Sequence, residues 1–287
     1  MAGPERFPSW VDGRLVAPGE PALAADDAGF LLGLSVFDTL LLEGGWRYFE
    51  REHLARLREG CAALSIRWPL PWDPRAALEE LCGVLERRDA ALRITVTRGA
   101  SGGGPALVVT ARAIDRPADP GVMVAVSSFV KHAGDPLENM KSTNRLRNVL
   151  AREEALSLGA WEALIPTEEG DLSEGTLCNL FAVTGGKLVT PEESRGCLAG
   201  IVREALLEDL AREPIGPELV VGRIEPRDLR EAQEVFLTNT TGRIVPVVEV
   251  MGLARGLPGS RGAVVGELRE RWARIEAADR ARGAPRS

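Results

Sequence analysis

Between residues 141 and 179 the chain reads KSTNRLRNVLAREEALSLGAWEALIPTEEGDLSEGTLCN, and this stretch narrows the possible folds more than any other. Leu146, Val149, Leu150, Ala155 and Leu158 recur at the helical period with arginines and glutamates on the other side, which predicts an amphipathic helix with those residues inward. Gly159 stands where a C-terminal stop is expected, and residues 161–165 read as a short buried strand. An extended run over 122–130 precedes the helix, and another apolar strand, 179–183, follows a turn at Glu169-Gly170. A helix set between strands in this way is an α/β unit. Lys141 lies just before the helix and Glu174 just before the later strand, so an amine and a carboxylate sit at element ends, where sites are usually built. Each alone is an ordinary surface charge; the rest of the chain gives them weight.

At 287 residues, 45% of them hydrophobic, the chain can bury a real core and reads as two domains or one large one. Its formal net charge is −7 with basic residues scattered among acids, so nucleic acid is not an expected partner. No apolar run approaches the roughly 20 residues of a membrane helix, and the opening MAGPERFPSW has neither the charged start nor the apolar middle of a signal peptide, so no membrane partner and a cytoplasmic location are expected. Cys61, Cys82, Cys178 and Cys197 form no CxxC pair and the only histidines are His53 and His132, which suggests neither a disulfide framework nor a metal site.

Along the chain, residues 10–16 and 44–49 read as short strands beside glycine-bearing turns, Asp12-Gly13 and Gly44-Gly45. Between them, Gly29 and Gly33 interrupt an apolar run that ends in a strand over 36–42; they permit either a positive φ and a close backbone approach, or a tight bend in a barrel-like sheet. Residues 51–66 and 74–88 are predicted helices, the second with Leu78, Leu81, Val84 and Leu85 inward. Strands at 91–97 and 106–113 flank RGASGGGP, which lacks the lysine and spacing of a nucleotide P-loop and reads as a flexible loop near substrate. DRPADPG, residues 115–121, marks a domain junction. Strands follow at 187–190, 220–224, 234–237 and 244–250, and a closing helix at 262–277 leaves a frayed tail. The helix starting at Gly200 or Ile201 exposes N–H groups and a positive dipole end suited to phosphate. TNTTGR, after the 234–237 strand, is either a capped turn or an anion-binding one.

Taken in order, GFLLGLSVFDTLL, HLARL, ITVTRG, KSTNRLRNVLAREEALSLGAWEAL, LSEGTLCNLFAV, LAGIVRE and VFLTNTTGRIVPV resemble the fold-type IV pyridoxal-phosphate enzymes. That is the class IV aminotransferase family, which includes branched-chain and D-amino acid aminotransferases and aminodeoxychorismate lyases, and the resemblance spans nearly the whole chain. It implies an α/β (α+β) fold of two domains, D-amino acid aminotransferase-like, with residues 1–117 as a small N-terminal domain, 118–287 as a large C-terminal one, and pyridoxal 5'-phosphate in the interdomain cleft. It also implies a homodimer, and as substrates a small amino acid or amine and a keto acid. Carried over residue by residue, it gives Lys141 the Schiff base with the cofactor and Glu174 the contact with the pyridine nitrogen. Arg56, the backbone of Ile201 and Val202, and Thr240 with Thr241 would bind the phosphate. The chemistry of the residues agrees: a carboxylate favours a protonated pyridine, and phosphate needs fixed charge and N–H donors.

Substrate residues depart from the familiar patterns. The loop after the TRG strand lacks the arginine and histidine typical of D-amino acid enzymes. Phe37-Asp38-Thr39-Leu40-Leu41 replaces the F-E-G-I-R of branched-chain enzymes, and no tyrosine follows the lysine. Phe37 to Thr39 as F-x-T, and Asn144 to Leu146 as N-R-L, look more like aminodeoxychorismate lyases. Arg98 and Arg145 are the candidate partners of a substrate carboxylate, Arg145 alternatively pointing to solvent or pairing with a nearby glutamate on the helix. Thr39 either hydrogen-bonds a water or the lysine amine, or is an ordinary β-branched strand residue. Both an aminotransferase and a lyase releasing 4-aminobenzoate and pyruvate fit; retention of the whole residue set argues against a non-catalytic descendant.

Overall fold

The computed structural model describes residues 7–68, 70–86 and 88–283. The chain divides into two compact units. The first gathers the described residues up to Asp115, the segment Met140–Asn144 and the very end of the last helix; the second takes Arg116–Asn139 and Arg145–Ala281.

The first unit is built on an antiparallel sheet. Strands β1 (Ser9–Val11) and β2 (Arg14–Val16) form a hairpin through Asp12-Gly13, and β3 (Ser35–Glu43) turns through Gly44-Gly45 into β4 (Trp46–Tyr48). With β5 (Ala90–Thr97) and β6 (Leu107–Arg112) the order is β2-β1-β6-β5-β3-β4. Alternation divides the long strands cleanly. Val36, Leu40 and Leu42 of β3 and Leu92, Ile94 and Val96 of β5 enter the core with Leu57 and Cys61 of α2 (Glu50–Ala63) and Ala77, Leu78 and Leu81 of α3 (Pro74–Val84). The opposite face carries Phe37 and Thr39 beside Thr95 and Arg93, their cross-strand partners. Val84, expected inward, is 45% exposed, because α3 ends there and its burying stripe runs through Ala77, Leu78, Leu81 and Cys82.

A short helix absent from the sequence-based expectation, α1 (Ala28–Leu32), is capped by Asp27, whose carboxylate accepts from the Gly29 and Phe30 N–H groups and from Thr97 Oγ1. Both glycines of this region are dictated by space and dihedral: Gly33 closes the helix at φ 65°, and a Cβ on Gly29 would stand 2.7 Å from Thr97. Since β4 pairs only with Leu41–Glu43, the first half of β3 has an open edge there, and Lys141–Thr143 takes it. The Phe37 N–H donates to the Lys141 carbonyl at 3.0 Å and the Thr143 N–H to Ser35 at 3.1 Å.

The second unit holds a nine-stranded mixed sheet. Strands β7 (Val122–Val126) and β8 (Glu162–Pro166) pair in parallel across helix α4 (Leu146–Ser157), which realises the predicted α/β unit, although the strand expected to reach residue 130 stops at Val126. The remaining elements are β9 (Leu172–Gly175), β10 (Asn179–Thr184), β11 (Lys187–Pro191), α5 (Ile201–Arg212), β12 (Glu218–Gly222), α6 (Pro226–Arg230), β13 (Glu234–Asn239), β14 (Arg243–Val250), β15 (Ala254–Arg255) and α7 (Ala263–Gly283). The sheet order is β12-β11-β10-β13-β14-β7-β8-β9, with β15 on β14.

Two expectations are corrected here. On α4 it is Asn148, Ala151 and Ala155 that are buried, whereas Leu146 is 71%, Val149 49% and Leu158 54% exposed. The helix approaches its sheet through small side chains, with Ala125, Ala151, Ala155, Ala160, Ala163 and Ile165 forming one cluster, and the larger residues are displaced outward. The C-terminal tail is helical as far as Gly283; residues 284–287 lie outside the described residues.

Candidate active site

In the first unit, Lys141 is held by its backbone pairing with β3, and its ammonium lies 4.9 Å from the centroid of the Phe37 ring. The Arg93 guanidinium lies over the same ring at 3.6 Å, so one face of β3 and β5 presents an aromatic ring and two cations, with Thr39 alongside. Directly behind, on the core face, sits a buried charge network. Asp38 accepts from His53 Nδ1 at 2.8 Å and takes a two-pronged contact from Arg56, Nε on Oδ2 and Nη2 on Oδ1, both 2.8 Å. Burial alone would raise the Asp38 pKa; the charges of His53 and Arg56 and their hydrogen bonds outweigh it and hold the carboxyl well below the usual range. Arg56 thus projects from α2 on a fixed carboxylate. Asp38 and His53 were not among the sequence candidates, yet an aspartate in phase with Val36, Leu40 and Leu42 was a legible sign of a paired buried charge.

In the second unit, Glu174 belongs to strand β9 rather than to the turn before it, opposite Ile165. Its carboxylate is fully framed. Lys131 Nζ donates to Oε1 at 2.6 Å; Asn179 Nδ2 and the Leu198 N–H donate to Oε2 at 3.2 and 3.0 Å. Lys131, with no exposed surface, also donates to the Gly196 carbonyl at 2.7 Å. Sequence reasoning missed Lys131 entirely, and no local signal marks it: it lies in a loop, bridged to Thr167 of another turn. A second buried acid, Glu162, shapes the next loop by accepting from the Ala163, Thr176 and Leu177 N–H groups and from Arg152 Nη1.

Helix α5 starts at Ile201 after Gly200, with no side-chain cap, so its first N–H groups are presented to an external acceptor. A Cβ on Gly200 would come within 1.9 Å of Asn179 Oδ1, so only glycine lets the helix start this close to β10. Thr240 and Thr241 form the turn between β13 and β14, stiffened by Asn239 Oδ1 accepting from the Gly242 N–H at 2.6 Å and from Thr241 Oγ1 at 3.3 Å. The two arginines proposed for substrate have structural partners. Arg145 donates to the Thr176 carbonyl at 3.2 Å, and burial lowers its pKa against the pull of Glu174, Glu138 and Glu162. The exposed Arg98 donates to the Leu64 carbonyl at the end of α2.

In the second unit, a framed carboxylate with acceptor capacity left, an uncapped helix start beside a glycine and a hydroxyl turn are groups of the kind that suit a phosphorylated pyridine. The class defined is a pyridoxal 5'-phosphate enzyme. The model of the amino-transferase class IV family matches residues 35–250, and the chain belongs to that family. It is 32% identical over 256 residues to a putative branched-chain-amino-acid aminotransferase of Methanocaldococcus jannaschii, covering 85% of this chain and 88% of that one. It is 28% identical over 263 residues to the aminodeoxychorismate lyase of Bacillus subtilis, covering 84% and 86%. Among solved structures, the branched-chain aminotransferase of Thermoproteus uzoniensis superposes with a TM-score of 0.80 at 25% identity over 96% of both chains; that of Escherichia coli, at 23% identity and 95% of both, has a TM-score of 0.79 and attests the fold alone. No helix of the described residues is long and apolar enough to cross a membrane.

Proposed function

We propose that the chain transfers an amino group between a small amino acid or amine and a keto acid, with Lys141 as the amine that holds the cofactor and moves the proton. The observation that carries this is the disposition of the only three lysines. Lys187 stands exposed near Glu218, and the Lys131 ammonium is locked between Glu174 and the Gly196 carbonyl. Lys141 alone lies on a polar face with an aromatic ring and a second cation. When bound, pyridoxal phosphate supplies the electron sink that lets the substrate α-carbon lose its proton. In this reading Lys141 Nζ takes that proton as a neutral amine and returns it. Glu174 holds the pyridine nitrogen, while Arg56, the Ile201 and Val202 N–H groups and the Thr240–Thr241 turn hold the phosphate. Arg93, over the same Phe37 ring as Lys141, joins Arg98 and Arg145 as a candidate partner for a substrate carboxylate.

Lyase chemistry on aminodeoxychorismate is the second reading, favoured by Phe37-Asp38-Thr39, by Asn144-Arg145-Leu146, and by the similarity to the Bacillus subtilis enzyme. The test offers purified protein a panel of D- and L-amino acids and amines with a keto acid and, separately, aminodeoxychorismate. Transamination of any panel member is the expected result; release of 4-aminobenzoate alone overturns it. A homodimer belongs to the same proposal, supported by the exposed Phe30, Leu31 and Leu32 on α1, and light scattering at the monomer mass would refute it.

A further inference from the structure

The carboxylate proposed to face the pyridine nitrogen is not a lone anion. An ionised carboxylate offers about four lone-pair positions on two oxygens. Glu174 Oε2 already accepts two N–H bonds, from Asn179 and Leu198, whereas Oε1 accepts one, from Lys131 at 2.6 Å. The remaining capacity is therefore on Oε1, the oxygen that carries the lysine. Lys131 is fixed at both ends. Its backbone N–H donates to the Pro166 carbonyl at 2.9 Å, its carbonyl accepts from the Glu168 N–H at 3.0 Å, and its ammonium is anchored on Gly196. A fully buried ammonium held by two short contacts has no room to swing away from Glu174.

We infer that Lys131 is a positioning residue that sets how strongly Glu174 holds the ring-nitrogen proton, acting as a fixed cation on the same carboxylate oxygen. This rests on the proposed contact between Glu174 and that nitrogen. The physical reason is direct: a second positive charge sharing Oε1 cancels much of the anion's pull on a pyridinium and sets the electron demand of the bound ring lower than an unpaired glutamate would. Other charged or titratable groups around the pair do not replace it. Glu138 lies 3.9 Å from the ammonium but is engaged by Arg147; Arg145 lies within electrostatic reach of Glu174 but hydrogen-bonds Thr176; and Cys197, beside both members of the pair, has its thiol pushed up to about 12, chiefly by burial.

The experiment loads the full-length protein with pyridoxal phosphate labelled with nitrogen-15 in the ring and follows its chemical shift against pH in the wild type, Lys131→Met, Lys131→Arg and Glu174→Gln. Lys131→Met is expected to keep the protonated ring nitrogen to a pH higher by about one unit or more, and Lys131→Arg, which preserves the charge, to titrate like the wild type. A Lys131→Met titration that superposes on the wild-type curve overturns the inference, as does an arginine variant that follows the methionine one. Should Lys131→Met fail to fold, the arginine variant is compared with Lys131→Gln in the same measurement. If Glu174→Gln leaves the nitrogen signal unmoved, the assignment of Glu174 itself fails, a result separate from any outcome at Lys131.

Discussion

Replacing Asp38 by asparagine isolates the network behind the Lys141 face. In the native protein the Asp38 carboxylate, without exposed surface, receives three N–H contacts at 2.8 Å, one from His53 and two from Arg56. Asparagine keeps one carbonyl oxygen and turns an NH2 toward groups that are themselves donors, so at least one hydrogen bond is lost and Arg56 loses the Asp38 charge that balances it. Breaking a buried ion pair in this way costs about 3–5 kcal/mol, which for a chain of this size lowers the melting temperature by roughly 5–8 °C. The pH dependence has a definite sign. Because the Asp38 carboxyl is held below its ordinary range, its contribution is fully present above the unfolded-state value of about 4 and is lost as pH falls below it. Urea unfolding of D38N and wild type should therefore differ by a constant amount across pH 5–8 and converge in acid. In the same samples, affinity for pyridoxal phosphate should fall more than affinity for unphosphorylated pyridoxal, since the fork that aims Arg56 is gone. A difference in stability below about 1 kcal/mol at neutral pH, or equal losses for the two ligands, would refute the reasoning.

Three further outcomes follow from the geometry. Glu162→Gln should destabilise the protein by about 2–4 kcal/mol in urea titrations, since the buried acid organises the loop between β9 and β10 through the Thr176 and Leu177 N–H groups and also accepts from the Ala163 N–H and Arg152. All four cysteines are buried, with Cys61 pushed up to about 11 by burial, so a thiol reagent at pH 8 should label none of them in the folded protein and all four in denaturant. Gly200→Ala should weaken pyridoxal phosphate binding about tenfold or more by equilibrium dialysis, with the fold retained by circular dichroism, because the new methyl would collide with Asn179 Oδ1 beside the start of α5.

What the sequence determined by itself was whatever local order encodes. Apolar spacing marked the strands and helices, glycines marked the turns at 12–13 and 44–45, and the βαβ unit around α4 followed from a helix between two β-rich runs. The order of short motifs was enough for the family, because each motif reports a local geometry and their succession reports the topology. Tertiary structure alone decided which face of α4 is buried: period cannot distinguish a leucine stripe from an alanine stripe, and close approach to the sheet selected Ala151 and Ala155. It also decided the charge partners. Asp38 meets Arg56 because β3 and α2 pack together, and Lys131 meets Glu174 across 43 residues of chain, a distance at which no sequence pattern operates. The free energy of a buried ion depends on what surrounds it in space, and only the folded chain supplies that surrounding.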